Sequence, residues 1–179
     1  MRTLSLWESG ESNGLVSLAA LLEGADMTAG LADFAVSDYA RVITRGGWRL
    51  LVGNPDGAND KRLIAHLKSL GLLFESLVIR DLRVYAAANG ASVYHYRDET
   101  GLEVDAIIET LDGRWLACEV KLGGEEAVNA AAKNLPALRN KVADEQRSRL
   151  AGLLIVTAGK VALTRPDGVH VVPLGCLMP

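Results

Sequence analysis

The chain has 179 residues, 49% hydrophobic and 23% charged, which excludes a disordered tail, a collagen-like chain and a disulfide-dense miniprotein. That length suits one domain, or one domain and a fragment of another. Nineteen Lys and Arg against 22 Asp and Glu leave a formal charge of −3, so any nucleic-acid contact has to come from a local basic face.

Residues 1–60 read as an N-terminal linker or lid segment, small and α-rich. Thr3–Trp7 alternates like a short strand and Glu8–Gly14 is a polar, turn-rich loop. Ser17 is placed to cap a helix through Leu22, and Ser37 a second through Arg45, stopped at Gly46-Gly47. Too short to bury a core of their own, these pieces are expected to pack on something else. Gly53–Asp60 reads as a linker or exposed loop.

From Lys61 onward the pattern is that of an α/β domain, residues 61–179. Leu63, Leu67, Leu70, Phe74, Leu77, Val78 and Leu82 recur at three- and four-residue steps, predicting a long helix to Asn89-Gly90. Strands follow at Ala91–Arg97, Leu102–Thr110 and Arg114–Lys121. A helical stretch over 125–146, interrupted by Pro136, leads to the apolar run Gly152–Val156, which suits an interior strand. Val161–Thr164 and Val169–Val172 close the chain as a hairpin. Cys118 and Cys176 lie outside any CxxC or Cys/His cluster, so no disulfide framework or zinc site is expected and a reducing, cytoplasmic setting fits. No apolar run reaches the ~18 residues of a membrane helix, and Glu8, Gly10 and Glu11 fall where a signal peptide would be apolar.

The chemistry concentrates in Glu103-Val104-Asp105 and Glu119-Val120-Lys121. A two-residue Asp112-Gly113 turn would put Asp105 and Glu119 on opposite faces. A three-residue loop, Leu111-Asp112-Gly113, pairs Thr110 with Arg114 and Asp105 with Glu119; this register is the one expected. Two carboxylates placed across strands repel unless a cation lies between them. Mg²⁺ or Mn²⁺ would resolve the conflict, held by Asp105, Glu119 and the Val120 carbonyl. Lys121 would then orient a water or stabilise the transition state of phosphodiester hydrolysis. Glu75, a lone acid amid Leu72–Ile79, needs a partner or a proton and could reach the metal through water.

An acid on a first helix (Glu75), Asp105 on a second strand and Glu119-x-Lys121 on a third resembles the PD-(D/E)XK nuclease superfamily. Gly71-Leu72-Leu73-Phe74-Glu75, Tyr94-His95-Tyr96-Arg97, Glu103-Val104-Asp105 and Glu119-Val120-Lys121 are also similar to an uncharacterised C-terminal domain of prokaryotic AAA-type P-loop ATPases. Arg2–Gly10 and Gly46-Gly47-Trp48 resemble the segment that joins such an ATPase core to this domain. The resemblance implies a restriction-endonuclease-like α-β-β-β-α-β core with a mixed sheet, catalytic Asp105, Glu119, Lys121 and Glu75, and an upstream ATPase partner. Val104 stands where the superfamily has Pro, a residue that ligates nothing, and Arg49 follows Gly47-Trp48 where Pro is expected. No GxxxxGK[ST] occurs, so no ATP site is expected in this chain.

Each feature also has a plainer explanation. Lys121 can pair with Glu119 or Glu103 on a solvated face, and Arg97 can reach a phosphate or neutralise Asp98 and Glu99. Residues 41–83 carry eight basic against four acidic side chains, a flank that suits a phosphate backbone but also an ordinary solvated helix. Glycoside hydrolysis is disfavoured, because two carboxylates on one hairpin would not flank a sugar. Two functions therefore stand side by side: Mg²⁺-dependent nucleic-acid hydrolysis, and a non-catalytic binding or assembly module on a degenerate nuclease fold, with oligomeric state open.

Overall fold

The computed structural model describes residues 2–27, 29–46 and 67–179. The Gly53–Asp60 loop, the helix start at Lys61 and the 60/61 boundary lie outside the described residues. At the N-terminus, the strand expected at Thr3–Trp7 is replaced by turns over residues 6–10. The cause is local. Glu8 Oε2 accepts the Ser5 amide at 3.0 Å while Ser5 Oγ accepts the Glu8 amide at 3.3 Å, a reciprocal box that coils the chain.

After β1 (Val16–Ser17), α1 (Leu18–Leu22) starts as expected, with Ser17 Oγ accepting the Ala20 amide at 3.3 Å. β2 (Gly30–Leu31) precedes α2 (Val36–Arg45), which begins earlier than expected. Ala35, not Ser37, is its N-cap, because Asp38 turns back to accept the Ala35 amide at 2.8 Å. α2 ends at Gly46, whose φ of +67° costs a glycine little.

The remainder follows the expected order: α3 (Leu67–Ala88), β3 (Ala91–Arg97), β4 (Glu103–Thr110), β5 (Trp115–Lys121), α4 (Glu125–Lys141), α5 (Asp144–Ser148), β6 (Leu150–Thr157), β7 (Val161–Thr164) and β8 (Val169–Pro173), with β9 (Leu177–Met178) last. Pro136 does not interrupt α4 as expected; the break falls at Val142-Ala143. A helical proline forfeits one amide bond, and buried Leu135 and Leu138 hold both sides of it on the sheet.

Seven strands form one mixed sheet in the order β2-β7-β8-β6-β5-β4-β3, and β1 and β9 form a separate parallel pair. β5 is an interior strand, antiparallel to β4 and parallel to the central β6. Strand alternation assigns its two faces. Leu116, Cys118, Leu154 and Val156 meet Phe74, Val78 and Leu82 of α3, whereas Trp115, Ala117, Leu153 and Ile155 meet Ala131, Leu135 and Leu138 of α4. Leu6, Val16, Leu18, Tyr39 and Val42 from residues 2–46 belong to the first of these clusters, so the N-terminal pieces do pack on the rest of the chain.

One charge is built into this packing. Asp81 occupies the buried stripe of α3 between Val78 and Leu82 and is fully buried. Its carboxylate accepts the Leu6 amide at 2.8 Å and pairs with Arg80 at 2.6 Å. Burial pushes its pKa from 3.8 up to about 6, with Arg80 pulling the other way. The folded chain therefore holds a proton that the unfolded chain has released between these values, and stability falls as pH rises through them. The free-energy difference between wild type and Asp81→Asn should shift by about 2 kcal/mol toward the variant from pH 4 to pH 7. Chemical denaturation at both pH values reads this; a pH-independent difference contradicts it.

Candidate functional site

The β4–β5 connection sets the register of the site. Thr110 donates its amide to the Arg114 carbonyl at 2.9 Å and Gly113 donates to Thr110 at 3.0 Å, with Gly113 at φ +83°. This is the three-residue loop read from the sequence, and it pairs Glu109 with Trp115 through Ala106 with Cys118. The paired ladder ends there, one step before Asp105 and Glu119.

A second feature re-aims Asp105. On its other side β4 pairs Ile107 with Tyr94 and Val104 with Tyr96, so Asp105 and Ala106 together oppose His95 alone. That is a β-bulge, which bends a strand and turns a side chain out of alternation. Asp105 Oδ2 consequently accepts the Val120 amide at 2.7 Å, in place of a ladder carbonyl. In a strand the carbonyl points to the same side as its own amide, so the Val120 carbonyl also faces β4.

Lys121 closes the group. Its Nζ lies 2.5 Å from Glu119 Oε2 and 3.3 Å from Asp105 Oδ2, so the expected trio converges. The cation required between two carboxylates is here an ammonium; of the two partners expected for Lys121 it takes Glu119 and not Glu103, and Asp105 is added. Glu119 is buried, 3% exposed. Burial pushes its pKa up against the pull of Lys121, and Asp105 adds to the rise. Burial also opposes the charge on Lys121, but its hydrogen bond to Glu119 and the charge of Asp105 hold its pKa above the ordinary value.

Glu75 stands on α3, half-buried, its pKa raised by burial and then by the charge of Asp105. Lys121 pulls it back down. It thus lies within the field of the trio without a direct hydrogen bond to it among the described residues. Arg97 is exposed at the end of β3, opposite Glu103. Asp98 is engaged instead by Lys141 at 2.5 Å, which leaves Arg97 no ion pair among the described residues.

Asp105 Oδ1 and Glu119 Oε1 accept no amide, amine or hydroxyl among the described residues. With the Val120 carbonyl they make an all-oxygen donor set on two carboxylates, which fits Mg²⁺ when waters and a phosphate complete its shell. No group of three or more His, Cys, Asp or Glu set to hold a metal occurs among the described residues, and Glu75 is not brought into hydrogen-bond contact with the two acids. No residue signals the bulge or the Val120 amide contact, since both arise from a pairing shift between β3 and β4. Asp81 was findable, as a charge inside an apolar helical stripe.

No helix among the described residues is long and apolar enough to cross a membrane. A family model described as a domain of unknown function (DUF4143) matches residues 70–177, more than half of the chain, and the chain belongs to that family. No curated protein and no solved structure matches it.

Lys121→Met removes the cation while leaving both acids in place, and should cost about 2 to 4 kcal/mol of stability at pH 8. In the variant Glu119 is pushed further up, so acidification to pH 5 should recover part of the loss as Glu119 takes a proton. Equal losses at the two pH values, measured by denaturant unfolding, would contradict the bridging role.

Proposed function

We propose that this DUF4143 chain carries a PD-(D/E)XK, restriction-endonuclease-like domain that hydrolyses a nucleic-acid phosphodiester with Mg²⁺ or Mn²⁺, as the C-terminal part of an AAA-type ATPase. The observation that carries the proposal is the convergence of Asp105, Glu119 and Lys121 at the mouth of the β4–β5 pair. It is joined by the α-β-β-β-α-β element order around them.

Asp105, Glu119 and the Val120 carbonyl would hold the ion. Bound there, it would supply neutralisation of phosphate charge and a lowered pKa for a water. Lys121, released from the carboxylates, holds that water in line or neutralises charge developing on the phosphate. Glu75 orients solvent from α3. Arg97, free at the end of β3, is a substrate contact in this scheme. The chain is expected to have no ATPase activity of its own.

One observation favours the second reading, a non-catalytic binding or assembly module: the Lys121 ammonium already satisfies both acids without a metal. The two readings separate by experiment. An ammonium and a divalent ion compete for the charge of the same two carboxylates, so Lys121→Ala should bind Mn²⁺ several-fold more tightly by calorimetry yet fail to nick plasmid DNA. Wild type should bind and nick, and Asp105→Ala should do neither. Identical calorimetric and nicking traces for wild type and Asp105→Ala would remove the hydrolytic function and leave the module.

A further inference from the structure

Beside the candidate site lies a cleft of about 540 Å³ between α3 and the first residues of the chain, lined among others by Arg2, Thr3, Glu75, Ser76, Arg80 and Arg83. Ser76, Arg80 and Arg83 are spaced i, i+4, i+7 and so share one helical stripe. Glu75, which lines the cleft at one end, lies within the field of Asp105 and Lys121. From Glu75 to Arg83 the helix advances about 12 Å.

The guanidiniums are set for a ligand. Arg2 gives Nη1 and Nη2 to Glu8 at 2.7 and 2.6 Å, leaving Nε. Arg80 gives Nε and Nη2 to Asp81 at 2.8 and 2.6 Å, leaving Nη1. Neither acid lines the cleft, and each holds its arginine through two contacts. Arg83 is exposed and has no acidic partner among the described residues. Forked, oriented guanidiniums match phosphate oxygens, and the volume is that of a nucleotide-scale ligand.

We infer that this cleft binds the sugar-phosphate backbone of a single-stranded nucleic acid, with Arg83 and Arg80 as phosphate contacts leading the strand toward Glu75. The inference rests on the hydrolytic reading of the trio, for which it supplies the track. A volume of about 540 Å³ is on the scale of one strand's nucleotide unit rather than of a duplex.

The test is fluorescence anisotropy of the full chain with a labelled single-stranded oligodeoxynucleotide, in EDTA, across a salt series. Arg83→Ala, an exposed substitution, should weaken binding roughly tenfold and reduce the salt slope by about one. Lys160→Ala, which removes an exposed charge outside the cleft, should change neither. Failure of wild type to bind, or equal behaviour of the two variants, overturns the proposal. Because EDTA removes metal-dependent cleavage from the readout, Arg83-dependent binding by a chain that never nicks DNA would retire hydrolysis while the cleft stands.

Discussion

Lys121 Nζ sits 2.5 Å from Glu119 and 3.3 Å from Asp105, and the candidate site exists because of that one ammonium. Glu119 lies on an interior strand of a seven-stranded sheet, almost wholly buried, where an unpaired carboxylate would cost several kcal/mol or stay protonated. Asp105 brings a second negative charge to the same spot. Two such groups persist together only around a cation, and the fold supplies one from two residues along the same strand. The arrangement is therefore both a structural ion bridge and a site where a harder cation could take its place.

Backbone geometry makes the convergence available. The three-residue loop at Gly113 fixes which residues of β4 and β5 face one another, and the bulge at Asp105-Ala106 ends the ladder where the acids begin. A continuous ladder would have spent the Val120 amide on a β4 carbonyl and left Asp105 in strict alternation. The bulge turns both toward the gap between strands. Around this point the sheet is packed on both faces, by α3 and α4, so the site is held by packed elements rather than by loops.

Much of this was legible in the residues. Gly113 after Leu111-Asp112 identified the loop, and the Phe74, Leu77, Val78, Leu82 spacing identified α3, because such turns and stripes are local. The errors have local causes of another kind. Ser5 and Glu8 form a capping box that resembles strand alternation when only hydrophobicity is read. Asp38 relocates the start of α2 through its side chain, and Leu135 and Leu138 carry α4 through Pro136 by tertiary packing. The bulge was beyond reach, since it depends on how β3 meets β4 and no residue announces it. Glu75 was recognised as an isolated acid, but the arginine cleft beside it appears only when residues 2–3 fold against α3.

The most direct measurement is a Mn²⁺ titration of the isotope-labelled chain followed by amide NMR, since a paramagnetic ion erases the signals nearest to it. A divalent ion held by Asp105, Glu119 and the Val120 carbonyl would broaden the Val120 and Lys121 amides first, at the lowest ratios, and spare residues at the Gly113 turn. Broadening centred elsewhere, or none at ratios above one, would contradict the account and leave Lys121 as the permanent counterion of the two acids.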